Sequence, residues 1–197
     1  MTRTQRLSAA VAGIGLLVMA VLAGYANFAV IERAAQATPH QIDLATLAMG
    51  IVAFLDVVVG IGVWGLFHID ARRSAAVAAG LRVIYAALLA WAVFRLATTA
   101  GDGPSRALAF QQVFAPAIGL FGIHLIVLAW PVEVTRFASP VARRGLAAAV
   151  AVCGLGYVID EATRLLLVHG TRMATVTFIG EVALMFWLII LAARGRD

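Results

Sequence analysis

The chain has 197 residues, of which 63% are hydrophobic and 13% are charged, and its mean hydropathy is +0.98. This composition lies far outside the range of soluble globular domains. The formal net charge of +5 comes from arginine alone, because no lysine occurs. Basic excess in such a chain mostly sets membrane topology, and without a basic soluble module it argues against nucleic acid as a partner. The single cysteine, Cys153, excludes an internal disulfide and a Cys-x-x-Cys site.

Six apolar segments are long enough to cross the bilayer as helices, since about 20 residues span about 30 Å of hydrocarbon. In chain order they cover residues 7–31, 44–67, 75–99, 108–130, 146–168 and 174–193. The first follows two arginines, as a secretory signal would, but it is longer than a signal's apolar core, so we interpret it as a retained helix. Short breaks rich in proline, glycine and aspartate separate the segments. We predict an all-α, polytopic membrane bundle of six transmembrane helices that forms one domain over residues 1–197.

The arginines predict the orientation of this bundle. Nine of them lie at the two termini and in the second and fourth loops, four lie on the opposite side, and two lie within the third segment. The positive-inside rule then predicts that both termini face the cytoplasm. We expect the protein in the bacterial cytoplasmic (inner) membrane, with membrane lipid around it.

Several polar side chains fall inside these segments, although an ionisable group at the bilayer centre costs at least about 2.5–3.5 kcal/mol. Helical rise predicts that Asp56 and Glu181 lie near the middle of their helices, Arg82 and His124 toward the cytoplasm, and Asp160 in the outer third. The candidates for a ligand or proton site are Asp56, Arg82, Tyr85, His124, Asp160 and Glu181.

A structural role is an alternative for several of these residues. Arg82 could pair with Asp56 merely to fix helix packing, and His124 could be a hydrogen-bonded packing residue. Asp160 and the adjacent Glu161 could reach interfacial water at the outer rim. The acids still outnumber the one arginine that can neutralise them. We therefore expect at least one carboxyl to be protonated or to line a wet cavity, which suits proton exchange.

Some specific chemistries find no support in the sequence. All serines lie near segment ends, which argues against an intramembrane serine protease, and no buried aspartate follows glycine as a paired-aspartate protease would require. The four histidines form no obvious haem pair. A metal between His40 and His169 on the outer side is a minor alternative. The sequence indicates no cofactor, and the catalytic residues, if any, are unknown.

Five short motifs contain the candidate residues in chain order. They are GIVAFLD ending at Asp56, LRVIY ending at Tyr85, GIH ending at His124, GLGYVID ending at Asp160, and IGE ending at Glu181. As an ordered set they resemble the bacterial multipass family catalogued as domain of unknown function 4386. The resemblance implies a membrane protein with these polar positions, and it implies no particular activity.

Three functions follow from these observations. The first is a buried polar site that binds a small molecule or lipid, or that is linked to proton binding. The second is an intramembrane enzyme acting on a lipid or isoprenoid by acid catalysis, with Asp160 or Glu181 as the acid and Tyr25, Tyr157 and Trp187 around the pocket. The third is an accessory subunit of a larger membrane complex, or a homo-oligomer.

Overall fold

The computed structural model describes residues 1–167 and 173–194, and this part of the chain is helical throughout, without strands. The helices are α1 (Arg3–Gly24), α2 (Pro39–Phe67), α3 (Arg72–Thr98), α4 (Gly103–Val134), α5 (Pro140–Leu167), α6 (Met173–Thr177) and α7 (Ile179–Ala193). A π-helical turn, Tyr25–Val30, and a 3-10 turn, Ile31–Arg33, extend α1. Six helices, the last spanning Thr175–Ala193, are long and apolar enough to cross a membrane. The prediction of a six-helix membrane bundle is confirmed.

Most helices begin several residues before the predicted apolar segments, because polar caps start them. Thr2 and Gln5 form a reciprocal capping box at α1, and Thr38 and Gln41 form another at α2. The carboxylate of Asp102 accepts a hydrogen bond of 3.0 Å from the backbone N–H of Ser105 at the start of α4. Bonding from the side chain and backbone of Ser105 holds the pKa of Asp102 below its usual range. These caps lie outside the apolar runs, so hydropathy alone placed the helix starts too late.

One predicted boundary was wrong. The fourth segment was predicted to end at residue 130, yet α4 continues through Pro131 to Val134. Proline removes one backbone donor, and so close to the helix end the following turn still forms. The sixth segment, predicted over residues 174–193, is a membrane-spanning helix over Thr175–Ala193, with a turn at Phe178 between α6 and α7. Val168, the last residue of the predicted fifth segment, lies outside the described residues.

The helices form a closed ring in which each long helix packs against the next, and α7 returns to contact both α1 and α5. Glycines allow the closest approaches. A Cβ at Gly13 on α1 would lie 2.9 Å from Cγ1 of Ile189 on α7, and a Cβ at Gly154 on α5 would meet the carbonyl oxygen of Gly122 on α4. Small residues at such crossings are typical of membrane helices. We call the end of the ring that holds both termini the termini side, and the other end the far side.

The far side carries an open cleft of about 500 Å³ between residues 34–42 and 101–106. An ion pair of 3.0 Å between Arg106 and Asp43 lies beside it, with Asp43 mostly exposed. The cleft is lined by the two far-side loops and lies at the ends of α2 and α4. It is therefore separate from the polar residues in the middle of the bundle.

Candidate functional site

Three of the candidate side chains lie at one depth in the ring. Asp56, Arg82 and His124 are each ten or eleven residues from the termini-side end of α2, α3 and α4. At about 1.5 Å of rise per residue, all three lie about 15–17 Å from that end. All three are essentially fully buried, with exposed fractions of 0–1%. The short connections between antiparallel helices thus bring distant sequence positions into one layer.

Asp56 and Arg82 form an ion pair in this layer. Nη2 of Arg82 lies 2.7 Å from Oδ1 of Asp56, although the angles fall outside hydrogen-bond geometry. Within residues 1–167 and 173–194, the second oxygen of Asp56, Oδ2, and the Nε of Arg82 have no hydrogen-bond partner. The predicted pairing is therefore present, but two buried polar atoms beside it remain unpartnered by protein groups.

His124 holds the other side of the guanidinium. Its Nδ1 lies 2.8 Å from the carbonyl oxygen of Ala78, so this nitrogen carries the proton and donates it. Its Nε2 then accepts from Nη1 of Arg82 at 3.4 Å, which requires a neutral imidazole. The ring of Phe121 lies beneath Arg82, with its centroid 5.3 Å from Cζ, a distance suited to a cation–π contact. His124 and Phe121 therefore position Arg82.

Glu181 lies on α7, twelve residues or about 18 Å from the termini-side end of that helix. The hydroxyl of Tyr157 donates to its Oε1 at 2.5 Å, and the thiol of Cys153 donates to the same oxygen at 3.6 Å. Both donors come from one face of α5, four residues apart. Among the residues that the structure describes, the direct hydrogen bonds to Glu181 therefore come from neutral groups.

Aromatic rings join the Glu181 side of the site to the Arg82 side. The ring of Phe121 lies 4.8 Å from that of Tyr85 and 5.8 Å from that of Tyr157, measured between centroids. The charges of Arg82, Asp56 and Glu181 also interact across this interior. We call Asp56, Arg82, Tyr85, His124, Tyr157 and Glu181 the buried cluster.

Asp160 does not join the buried cluster. Its Oδ1 accepts a hydrogen bond of 2.8 Å from the backbone N–H of Met173 at the start of α6. The neighbouring Glu161 faces α4 at Gly119 and pairs with Arg164 through contacts of 2.6 and 2.9 Å. Both acids thus already have partners near the far side. Asp160 was predicted as a site residue, and in the structure its carboxylate caps the start of α6.

The aromatic residues suggested for an enzyme pocket also separate. Tyr25 is 40% exposed on the outside of α1. Trp187 stacks on Phe67, with ring centroids 6.4 Å apart and an interplanar angle of 3°, toward the termini side. Only Tyr157 reaches the buried cluster. The role of Cys153 as a donor was missed, although its spacing of four residues from Tyr157 could have indicated it.

The described part of the chain contains no group of three or more His, Cys, Asp or Glu side chains arranged to hold a metal ion. His40 lies at the first turn of α2 and is exposed. His169, its partner in the alternative metal site, lies outside the described residues.

These observations define a multipass α-helical membrane protein with an ion pair and a second carboxyl inside its helical ring. The chain belongs to the family described as Domain of unknown function (DUF4386), which matches residues 11–192. It is similar to an uncharacterized protein of Archaeoglobus fulgidus, with 26% identity over 146 residues that cover 74% of this chain and 80% of that protein. No solved structure matches it. The matched range includes every residue of the buried cluster.

Proposed function

We propose that the protein binds a small molecule at the buried cluster and that binding is linked to a proton on Glu181. The observation that carries this proposal is the charge balance of the ring. Among the described residues, two carboxyls, those of Asp56 and Glu181, lie inside the ring with one fully buried guanidinium, that of Arg82. With both carboxyls ionised, the cluster has one uncompensated negative charge.

An uncompensated charge at mid-membrane costs at least about 2.5–3.5 kcal/mol. A proton or a bound cation on one of the two acids removes this cost. Asp56 contacts Arg82 directly at 2.7 Å, whereas Glu181 is held by the hydroxyl of Tyr157 and the thiol of Cys153. Glu181 is therefore the group that we assign to proton exchange.

The unpartnered polar atoms support the ligand part of the proposal. Buried polar atoms ordinarily have hydrogen-bond partners, yet in the described part of the chain Oδ2 of Asp56 and Nε of Arg82 have none. The hydroxyl of Tyr85 likewise makes no hydrogen bond to the described residues, although the residue is only 6% exposed. A small polar group placed among these atoms can satisfy both a donor and an acceptor.

Ligand retention tests the proposal. The purified protein and the variants Asp56→Asn and Glu181→Gln are compared by native mass spectrometry from mild detergent, alongside their melting temperatures. We expect a retained mass on the parent that both variants lose. Glu133→Gln, at a half-exposed glutamate near the end of α4, is the control and should retain it. If both cluster variants match the parent in retained mass and stability, the site has no basis.

We further propose that both termini face the cytoplasm and that the protein resides in the bacterial cytoplasmic membrane. The nine arginines of the termini and the even loops support this orientation, against four on the far side. Arg196 and Arg172, which are in this count, lie outside the described residues. A reporter fused after the last residue and active only in the cytoplasm should be active. Activity only of a reporter that requires export would reverse the orientation.

A further inference from the structure

Glu181 and its partner Tyr157 differ from the rest of the buried cluster in their access to the surface of the bundle. Asp56, Arg82 and His124 are buried almost completely, whereas Glu181 is half-buried at nearly the same depth. Its neighbours Val182 on α7 and Tyr157 on α5 are half-buried as well. The exposed part of Glu181 therefore lies at membrane depth, and we call the surface around it the opening.

The path of α1 explains this opening. In the termini-side half, α1 packs closely on α7, where Gly13 meets Leu188 and Ile189. Beyond Gly24, the π-helical turn packs on α2, and the 3-10 turn after it packs on α4. Turns of this kind are frequent at functional sites. The far-side extension of α1 is therefore held by α2 and α4.

The last two helices, α6 and α7, pack against a different neighbour, α5. Thr177 on α6 packs against Gly156 of α5, and Gly180 at the start of α7 packs against Ala149 of α5. In the far half, α1 and the α6–α7 pair therefore rest on different neighbours. The far-side end of α1 and the start of the last helix carry apolar side chains that are not fully buried: Leu22 and Ala23 are half-buried, and Phe178 is 48% exposed.

We propose that this opening admits an amphiphile from the lipid phase, and that the amphiphile has a cationic amine head and an apolar tail. The inference rests on the proposed function, since it names the ligand class of that site. An ammonium group offers donors only. The cluster offers free acceptors, namely Oδ2 of Asp56 and, among the described residues, Oε2 of Glu181. An anionic head would face two carboxyls, and a neutral head would leave the proton on Glu181 and form no ion pair with it.

The proton balance follows from the same charges. When the ammonium head binds, the carboxyl of Glu181 releases its proton to the medium and the carboxylate pairs with the ammonium. One proton is released for each amine bound. The titratable or charged groups that face Glu181 are Cys153 and Tyr157 on α5, Arg82 and Tyr85 on α3, and Asp56 on α2. Within the described residues, the charged side chains of α1 and its extension lie near the beginning of α1 and at the end of the extension.

The preference for an amine head group is tested with three compounds that share the same tail and differ in the head group. Dodecylamine, dodecanol and dodecanoate are added at equal mole fraction to the protein in a neutral detergent. At ten times its dissociation constant, dodecylamine should raise the melting temperature by about 3–6 °C, because a bound ligand stabilises the folded state. Dodecanoate should have no such effect, and ethylamine, which lacks the tail, should have none at the same concentration. Equal shifts for all three head groups, or an equal shift with ethylamine, would overturn the inference.

Variants and proton counting complete the test. Glu181→Gln should abolish the shift with dodecylamine, and Glu133→Gln should keep it. If Glu181→Gln does not fold, the parent alone decides, since dodecylamine should release about one proton per protein into weakly buffered medium. No release would overturn the inference. If the parent retains a native ligand but all head groups give equal shifts, only the proposal of an amine ligand is rejected. If the parent retains no ligand, the proposed function is rejected as well.

Discussion

Arg82 and Asp56 meet at 2.7 Å inside the ring, with 1% and 0% of their side-chain surfaces exposed. Neither can reach water at the membrane surface, because each lies about 15 Å or more from the termini-side end of its helix. Each charge therefore depends on the other. Glu181, the third charged group, is left without a cation of its own, and the account of the site follows from this imbalance.

Removing one member of the ion pair should be strongly destabilising. Arg82→Gln leaves Asp56 as an uncompensated buried charge, and such losses cost about 3–5 kcal/mol. The double variant Asp56→Asn, Arg82→Gln should cost less than the sum of the two single changes, because neither charge remains. Chemical unfolding in detergent micelles measures all three. The control is Asp43→Asn, which removes a 65% exposed partner of Arg106 and should change stability by less than about 1 kcal/mol. If the costs of the Asp56 and Arg82 changes simply add in the double variant, the pairing is contradicted.

Replacing His124 should disturb Arg82. In His124→Phe, Nη1 of Arg82 loses its partner, and the carbonyl oxygen of Ala78 loses the bond from His124 but keeps its helical one. An unsatisfied buried group costs about 1–3 kcal/mol, so we expect a loss in this range. His124→Gln, which keeps a donor and an acceptor, should recover part of it. Equal stability of the phenylalanine variant and the parent would show that His124 does not position Arg82.

The contact between α4 and α5 should tolerate no extra atom. A Cβ at Gly154 would meet the carbonyl oxygen of Gly122, so Gly154→Ala should lower the melting temperature, with an unfolding cost of about 1–3 kcal/mol. Gly80→Ala is the matched control, because nothing lies within 4 Å of its added Cβ. That change should be neutral or stabilising, since alanine favours helix more than glycine. The same effect from both changes would contradict the close approach of α4 and α5 at Gly154.

The cap of α4 should make a small part of the stability pH-dependent. Ser105 lowers the pKa of Asp102 in the folded protein. The stabilising contribution of this cap is therefore fully present above the ordinary pKa of 3.8. It is lost as the pH falls through the lowered folded pKa. Asp102→Ala should therefore melt below the parent at pH 6, and the difference should shrink in acid. A difference that persists unchanged to the lowest pH would contradict this cap.

The membrane ring could be predicted from sequence because segment length and short loops fix both helix number and depth. Residue counts along the apolar segments predicted Asp56 near mid-helix and Arg82 and His124 closer to the cytoplasm. The structure places all three in one layer because α2, α3 and α4 extend beyond those segments. The rotation of each helix is harder to predict, since it depends on packing. Asp160 and Tyr157 differ by less than one turn, yet only Tyr157 reaches Glu181. The π-helical turn after α1, which packs on α2, is likewise a feature for which hydropathy gives no signal.

Infrared difference spectroscopy across a pH titration tests the central claim most directly, because the stretch of a protonated carboxyl is separate from that of a carboxylate. The parent protein should show a pH-dependent protonated-carboxyl band that is absent from Glu181→Gln and present in Glu133→Gln. Addition of dodecylamine should reduce this band in the parent. A band that persists unchanged in Glu181→Gln, or the lack of any such band in the parent, would contradict proton exchange at Glu181.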